Sequence, residues 1–266
     1  MRVGLALSGG AARGIAHIGV LRYLEERGVK PCCIAGTSAG SIVGSLYCSG
    51  KSVDELEEIA CTLSWKDLVK ISWPRRGLID SSRLLKVLRK YLNDQTFDQL
   101  ELPLLVNAVD LLSAKEIIMD EGPVAEAVVA SCAIPGIFTP VKKEKYLLVD
   151  GGLLDNLPAV LMKDRKTDYI ISVNVGAQSP LQKEPDTLVE VLIQSFDVIR
   201  RQRDEPALEY TDVLIEPDLS DIAFHDTSKV DLLIERGYEA AQEALQEIDL
   251  SKKPGRFAKW LNKRRK

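Results

Sequence analysis

Histidine is scarce: His17 and His225 are the only two in 266 residues. Two scattered imidazoles give no metal-ligand spacing, and a catalytic zinc site needs more. Long apolar runs are missing too. No stretch of about 18 apolar residues occurs, so nothing in the sequence reads as a membrane span. The apolar stretch from Met1 to Ser8 is too short for a signal h-region and runs straight into a glycine-rich motif, so it reads as a buried strand. The five cysteines (Cys32, Cys33, Cys48, Cys61, Cys132) are odd in number, sit in apolar settings and show no ligand-type spacing. Cys32-Cys33 is not a CxxC motif. Reduced core thiols of a cytoplasmic protein are the expectation.

Charge is unevenly placed. Of 35 basic residues, eight lie between Lys252 and Lys266, where no acidic residue occurs. The remainder holds 27 basic against 39 acidic residues, a net of −12. A body that acidic argues against a nucleic-acid binder. The chain divides into a domain over 1–250 and a basic tail over 251–266.

Apolar runs alternate with amphipathic stretches, the signature of an α/β fold with a largely parallel sheet. Strands are expected at Arg2–Leu7, Pro31–Ala35, Leu104–Val109, Glu116–Met119, Tyr146–Val149, Tyr169–Val175 and Val213–Glu216. Helices are expected at Ala12–Arg27, Ala39–Cys48, from the Ser52-x-x-Glu55 capping box, from Ser81 or Ser82 to about Leu92, and at Pro123–Cys132, Leu188–Arg203 and Val230–Ile248.

Three short motifs carry chemistry. The first is Gly36-Thr37-Ser38-Ala39-Gly40, a GxSxG between an apolar strand and a helix, which is the context of a nucleophile elbow. A serine on so sharp a turn is forced outward, and side chains two residues either side would clash. The helix from Ala39 points its amides at the reacting centre. The second is Gly9-Gly10-Ala11-Ala12-Arg13-Gly14, whose amides can form an anion-binding nest and serve as an oxyanion hole. A nucleotide loop is the competing reading. It wants a second glycine where Ala11 stands and an acidic residue after the next strand, and there is no GK[ST], so no cofactor is expected. The third is Asp150-Gly151-Gly152, an aspartate at a strand's C-terminal end, which can also be a plain hairpin turn. All three can meet at one edge of one sheet.

In these residues the sequence resembles the patatin-like phospholipase family, in its compact bacterial form. The likeness rests on Gly9-Gly10-x-x-Arg13-Gly14, Gly36-x-Ser38-x-Gly40 and Asp150-Gly151-Gly152. His17-Ile18-Gly19-Val20-Leu21, Ala130-Ser131-x-x-Ile134-Pro135-x-x-Phe138 and Asn156-x-Pro158 support it, and it runs from about residue 3 to 248. The resemblance implies a three-layer α/β/α sandwich with a mostly parallel central sheet. It implies a lipid or fatty-acyl ester substrate and hydrolysis of phospholipase A or lysophospholipase type. It also implies a serine–aspartate dyad, Ser38 as nucleophile and Asp150 as base, with the oxyanion held around Gly10 to Arg13. Ala11 departs from the family, where many members have glycine.

Chain order also permits a Ser38, Asp150, His225 triad. Against it, only one strand precedes the elbow, and His225 lies in a polar approach to a helix. A carboxylate base needs a raised pKa, hence a desolvated Asp150. His17 reads as a packed histidine. Acyl transfer to an acceptor other than water, and a regulatory protein with little turnover, are the alternatives; the related malonyl-transferase architecture has a histidine where Thr37 stands. Arg13 either orients the oxyanion loop or makes a structural salt bridge. Trp65, Leu68, Ile71, Trp73 and Pro74 form either a lid or a partly buried helix-loop. The tail, with Phe257-Ala258-Lys259-Trp260-Leu261, is a candidate for peripheral contact with an anionic membrane, at about 1 kcal/mol per basic residue, or a solvated terminus.

Overall fold

The computed structural model describes residues 1–63, 70–71, 77–177 and 184–248. The stretch from Trp65 to Pro74, apart from the backbone of Lys70–Ile71, and the basic tail lie outside the described residues.

The chain opens with β1 (Val3–Leu7), a tight 3-10 turn (Ala11–Ile15) and α1 (Ala16–Glu26). Then come β2 (Pro31–Gly36), α2 (Ala39–Cys48) and α3 (Val53–Thr62), the last opened by the Ser52/Glu55 capping box. Next are β3 (Lys70–Ile71), β4 (Gly77–Asp80), α4 (Ser82–Leu92), β5 (Leu104–Asp110), β6 (Lys115–Met119) and α5 (Val124–Ser131). β7 (Gly136–Phe138), β8 (Val141–Lys143), β9 (Tyr146–Asp150), β10 (Tyr169–Val173), α6 (Leu188–Arg203), α7 (Glu205–Leu208), β11 (Val213–Ile215) and α8 (Val230–Leu245) complete the described chain.

Eight strands form one sheet in the order β11-β10-β1-β2-β5-β9-β8, with β6 also on β5. β1, β2, β5, β10 and β11 run parallel. All five residues of β1 are buried, as a central strand covered on both faces requires. Alternation sorts the strands into two cores. Leu5, Leu7, Ile34, Leu104, Val106, Ile171 and Val173 face one apolar cluster, while Ala6, Cys33, Ala35, Leu105 and Ile170 face the other. The sheet is therefore the middle of three layers.

The register of β5 places the site. Val106 pairs with Gly36 of β2 and Met119 of β6, so those strands lie on opposite sides of β5. Ala108 pairs with Ile117 of β6 and Asp150 of β9, so β9 lies on the side that β2 occupies lower down. β2 runs up to Gly36, antiparallel β9 runs down to Asp150, and the two strand ends face each other beside β5. The three motifs do meet, but Asp150 arrives from the opposite direction to the other two.

Three further differences from the sequence reading have physical causes. The expected helix Ala12–Arg27 begins as a 3-10 turn, which seats Gly14 under Ala39: a Cβ on Gly14 would lie 2.5 Å from that of Ala39. β7 and β8 were not expected, nor was the small β3-β4-β7 sheet, because strands of two to four residues carry too little alternation to read. All five cysteines are free, but Cys61 is exposed on α3 and Cys32 is half-buried; only Cys33, Cys48 and Cys132 are core thiols.

Candidate active site

Ser38 stands between β2 and α2 with φ +50° and ψ −122°, a conformation that favours glycine. Such strain costs about 1–3 kcal/mol and persists only where the surroundings over-determine it. Here they do. The Thr37 amide donates to the Leu7 carbonyl (3.0 Å). The Thr37 hydroxyl reaches Asn107 Oδ1 (2.9 Å) and the Asp155 carbonyl (3.1 Å). The Ser38 amide donates to Ser131 Oγ (2.8 Å), and the Ser38 carbonyl accepts from Ser41 Oγ (2.6 Å). The elbow glycines are steric necessities. A Cβ on Gly36 would meet the Gly40 carbonyl at 2.6 Å, and one on Gly40 would strike the Leu7 carbonyl. Ser38 itself is 8% exposed, at the foot of a cleft.

The Gly9–Gly14 loop follows β1. Its amides are mostly spent: Gly9 on the Asn156 carbonyl (3.2 Å), Ala12 on the Phe224 carbonyl (2.8 Å), Arg13 on the Gly10 carbonyl (3.1 Å). Those of Gly10 and Ala11 are left as uncommitted donors among the described residues. Ala11 sits at φ +50°, so the position that many members fill with glycine keeps the left-handed backbone that glycine favours. Arg13 is buried and grips the Ile222 carbonyl with Nε (2.9 Å) and Nη2 (2.6 Å), pinning the loop to the segment before α8.

The sequence reading missed Arg200. It is 4% exposed, donates through Nη1 to the Gly9 carbonyl (2.8 Å) and pairs through Nη2 with Asp197 (3.0 Å). Carbonyl and following amide point opposite ways across a trans peptide. Holding the Gly9 oxygen therefore fixes which way the Gly10 N–H faces. The available signal was an arginine on the stripe Ile193, Phe196, Asp197, Arg200 of α6, where an apolar residue belongs.

Asp150 ends β9 and is 1% exposed. Its Oδ1 accepts from the Gly152 amide (2.8 Å); Oδ2 has no hydrogen-bond partner among the described residues. Burial pushes its carboxyl up to about 6, against the opposing pull of the Gly152 amide, the nearby Ser38 hydroxyl and the Arg200 cation. Gly151 packs tightly on Asn107. A second buried acid, Asp155, is raised to about 7 by burial and by the charges of Glu116 and Asp204.

Neither histidine lines the cleft. His17 is buried, with Nε2 against the Ser8 carbonyl (2.9 Å), and burial lowers it to about 4, so it is neutral. His225 stacks edge-on with Phe224.

Two pockets meet at Ser38. One, about 970 Å³ counted to its open mouth, runs between the 3-10 turn and helices α1 to α4. Among the described residues, Ser38 and Thr227 are the only hydroxyls in a lining that includes Ile15, Ile18, Ile42, Leu46, Leu56, Ile59 and Leu84. The other is polar and holds Asp150, Asn156, Asp197 and Arg200, with Gly9 and Gly10 in its wall.

A strained serine at a strand-to-helix turn, a glycine loop beside it and a buried carboxylate across the sheet edge meet at one end of an α/β sheet. The chain belongs to the patatin-like phospholipase family, whose model matches residues 5–162. An uncharacterized NTE family protein of Mycobacterium tuberculosis (strain ATCC 25618 / H37Rv) is 35% identical over 197 residues, covering 72% of this chain and 54% of the relative. The Lysophospholipase NTE1 of Candida glabrata is 32% identical over 181 residues, covering 66% of this chain and 10% of that protein. The chain spans about half the length, or less, of the curated relatives it matches. The crystal structure of VipD from Legionella pneumophila shares the fold, with a TM-score of 0.64 at 16% identity over 92% of this chain and 67% of that one. No helix among the described residues is long and apolar enough to cross a membrane.

Proposed function

We propose that this chain hydrolyses the ester of a single-chain acyl lipid, of lysophospholipid type, through an acyl-enzyme on Ser38 with Asp150 as base. The observation that carries this reading is the place of Ser38, at the junction of one apolar pocket and one polar pocket that holds Asp150. One apolar pocket suits one acyl chain. The polar side suits the departing alcohol, which needs a proton. Asp150 takes the Ser38 proton as the hydroxyl attacks the carbonyl, and returns it to the leaving oxygen. The Gly10 and Ala11 amides donate to the oxyanion. The named activity of the Candida glabrata relative agrees with this reading. The catalytic unit is residues 1–250; contact of the basic tail with an anionic membrane is a separate proposal.

Hydrolysis of lysophosphatidylcholines from octanoyl to palmitoyl tests this. Each methylene buried contributes up to about 0.8 kcal/mol, or about fourfold in kcat/KM. The expected result is a rise with chain length, which Ile42→Trp in the pocket wall cuts short at medium chains. Absence of turnover, together with no fluorophosphonate labelling of Ser38, would put a regulatory role in its place.

Arg200 supplies a second expectation. Arg200→Met frees the Gly9 peptide and removes the cation near Asp150. The loss should resemble that of an oxyanion donor, about 10²-fold in kcat with little change in KM. The acid limb should also move upward, because the cation holds the Asp150 pKa down. An unchanged pH profile would contradict this role.

A further inference from the structure

Asp150 and Asn156 both line the polar pocket, and each carries a buried polar atom without a hydrogen-bond partner among the described residues, Asp150 Oδ2 and Asn156 Nδ2. One accepts and the other donates. Asn156 is 1% exposed, and buried amides are almost always hydrogen-bonded. Its backbone is already explained, since its carbonyl accepts from the Gly9 amide. Its side chain is not. The amide head stands inside the site. A Cβ on Gly152 would lie 3.1 Å from both Asn156 Oδ1 and Asp150 Oδ1, and a Cβ on Gly9 would lie 2.6 Å from Asn156 Oδ1 and 3.1 Å from the Ser38 Cβ. Bare glycines thus leave room for the Asn156 amide head to sit beside base and nucleophile.

A water that attacks an acyl-serine needs an acceptor for its proton and a donor to fix its oxygen. We propose that Asp150 and Asn156 hold the deacylating water between them, Asn156 Nδ2 donating to its oxygen and Asp150 Oδ2 receiving its proton. The inference rests on the dyad reading above. The step balances: the water oxygen bonds to the acyl carbon, its proton passes to Asp150, and the tetrahedral intermediate collapses. Ser38 Oγ then leaves with the proton from Asp150, and the fatty acid is released. The departing alcohol occupies the same position in the acylation half, so an alkyl leaving group also feels Asn156. p-Nitrophenolate, which leaves without a proton, does not.

The test is pre-steady-state hydrolysis of a p-nitrophenyl ester by wild type, Asn156→Leu and Asn156→Ala, with fluorophosphonate labelling to count competent Ser38 in each preparation. The expected variants release one equivalent of p-nitrophenol at nearly the wild-type rate, then turn over about 10²-fold more slowly. Mass spectrometry finds the acyl group on Ser38. Added hydroxylamine, a nucleophile strong enough to react without placement, restores turnover. A burst and a steady state that fall together would overturn the inference and leave Asn156 a merely structural residue. Unchanged steady-state turnover would overturn it as well. No acylation of Ser38 in wild type would instead sink the dyad reading, and this inference with it.

Discussion

Asp150→Asn lowers kcat by about 10³- to 10⁴-fold, the range for loss of a general base, and makes the protein more stable at neutral pH. The two effects have one cause. Burial raises the folded-state pKa of Asp150 from 3.8 to about 6. Between those values the folded state binds the proton that the unfolded state has lost, so stability falls as pH rises through the window. Below 3.8 both states are protonated and the cost is absent; above about 6 it is fully present. Each unit is worth about 1.4 kcal/mol, so the cost at pH 7 reaches up to about 3 kcal/mol. Asn removes it while its carbonyl oxygen still accepts from the Gly152 amide. Denaturant unfolding at pH 4 and pH 7 checks this: the gain should appear at pH 7 and shrink toward pH 4. The same shift predicts an activity limb near pH 6, since the base must be ionised. A variant that loses activity and stability together would mean that Asp150 is a structural ion.

Ser38→Ala and Ser38→Gly both abolish turnover and fluorophosphonate labelling, yet they differ in stability. The φ of +50° is set by the elbow's hydrogen bonds and tight backbone, not by the hydroxyl. Ala keeps the Cβ strain; Gly relieves about 1–3 kcal/mol of it and returns about 0.5–1 kcal/mol through the freer unfolded chain. Gly at a helix N-cap costs little more. Ser38→Gly is therefore expected to be about 1 kcal/mol more stable than Ser38→Ala, a rise of about 2–4 °C in Tm for a domain of this size. Equal melting temperatures would mean that the turn relaxes and stores no strain.

The family and the α/β fold were legible because their signals are local. The GxSxG lies between a buried strand and a helix of small residues, and the glycine loop follows the first strand directly. The apolar runs of the parallel strands read correctly because both faces are buried. Asp150 was legible as a strand-end aspartate, but not the antiparallel approach of β9: strand direction depends on pairing across β5, which no local pattern encodes. Arg200 reaches the loop through a hydrogen bond about 190 residues from its acceptor in sequence, and in α6 it merges with neighbouring arginines. Asn156 was visible as part of Asn156-x-Pro158, but its orphaned amide appears only once Gly9 and Gly152 pack around it.

The most direct test of the central claim is the rate of Ser38 acylation by a p-nitrophenyl ester, measured side by side in Asp150→Asn and His225→Ala. The account predicts that Asp150→Asn slows acylation by about 10³-fold while His225→Ala acylates at close to the wild-type rate. Near-normal acylation in Asp150→Asn, with loss in His225→Ala, would contradict it and make the site a histidine-based triad.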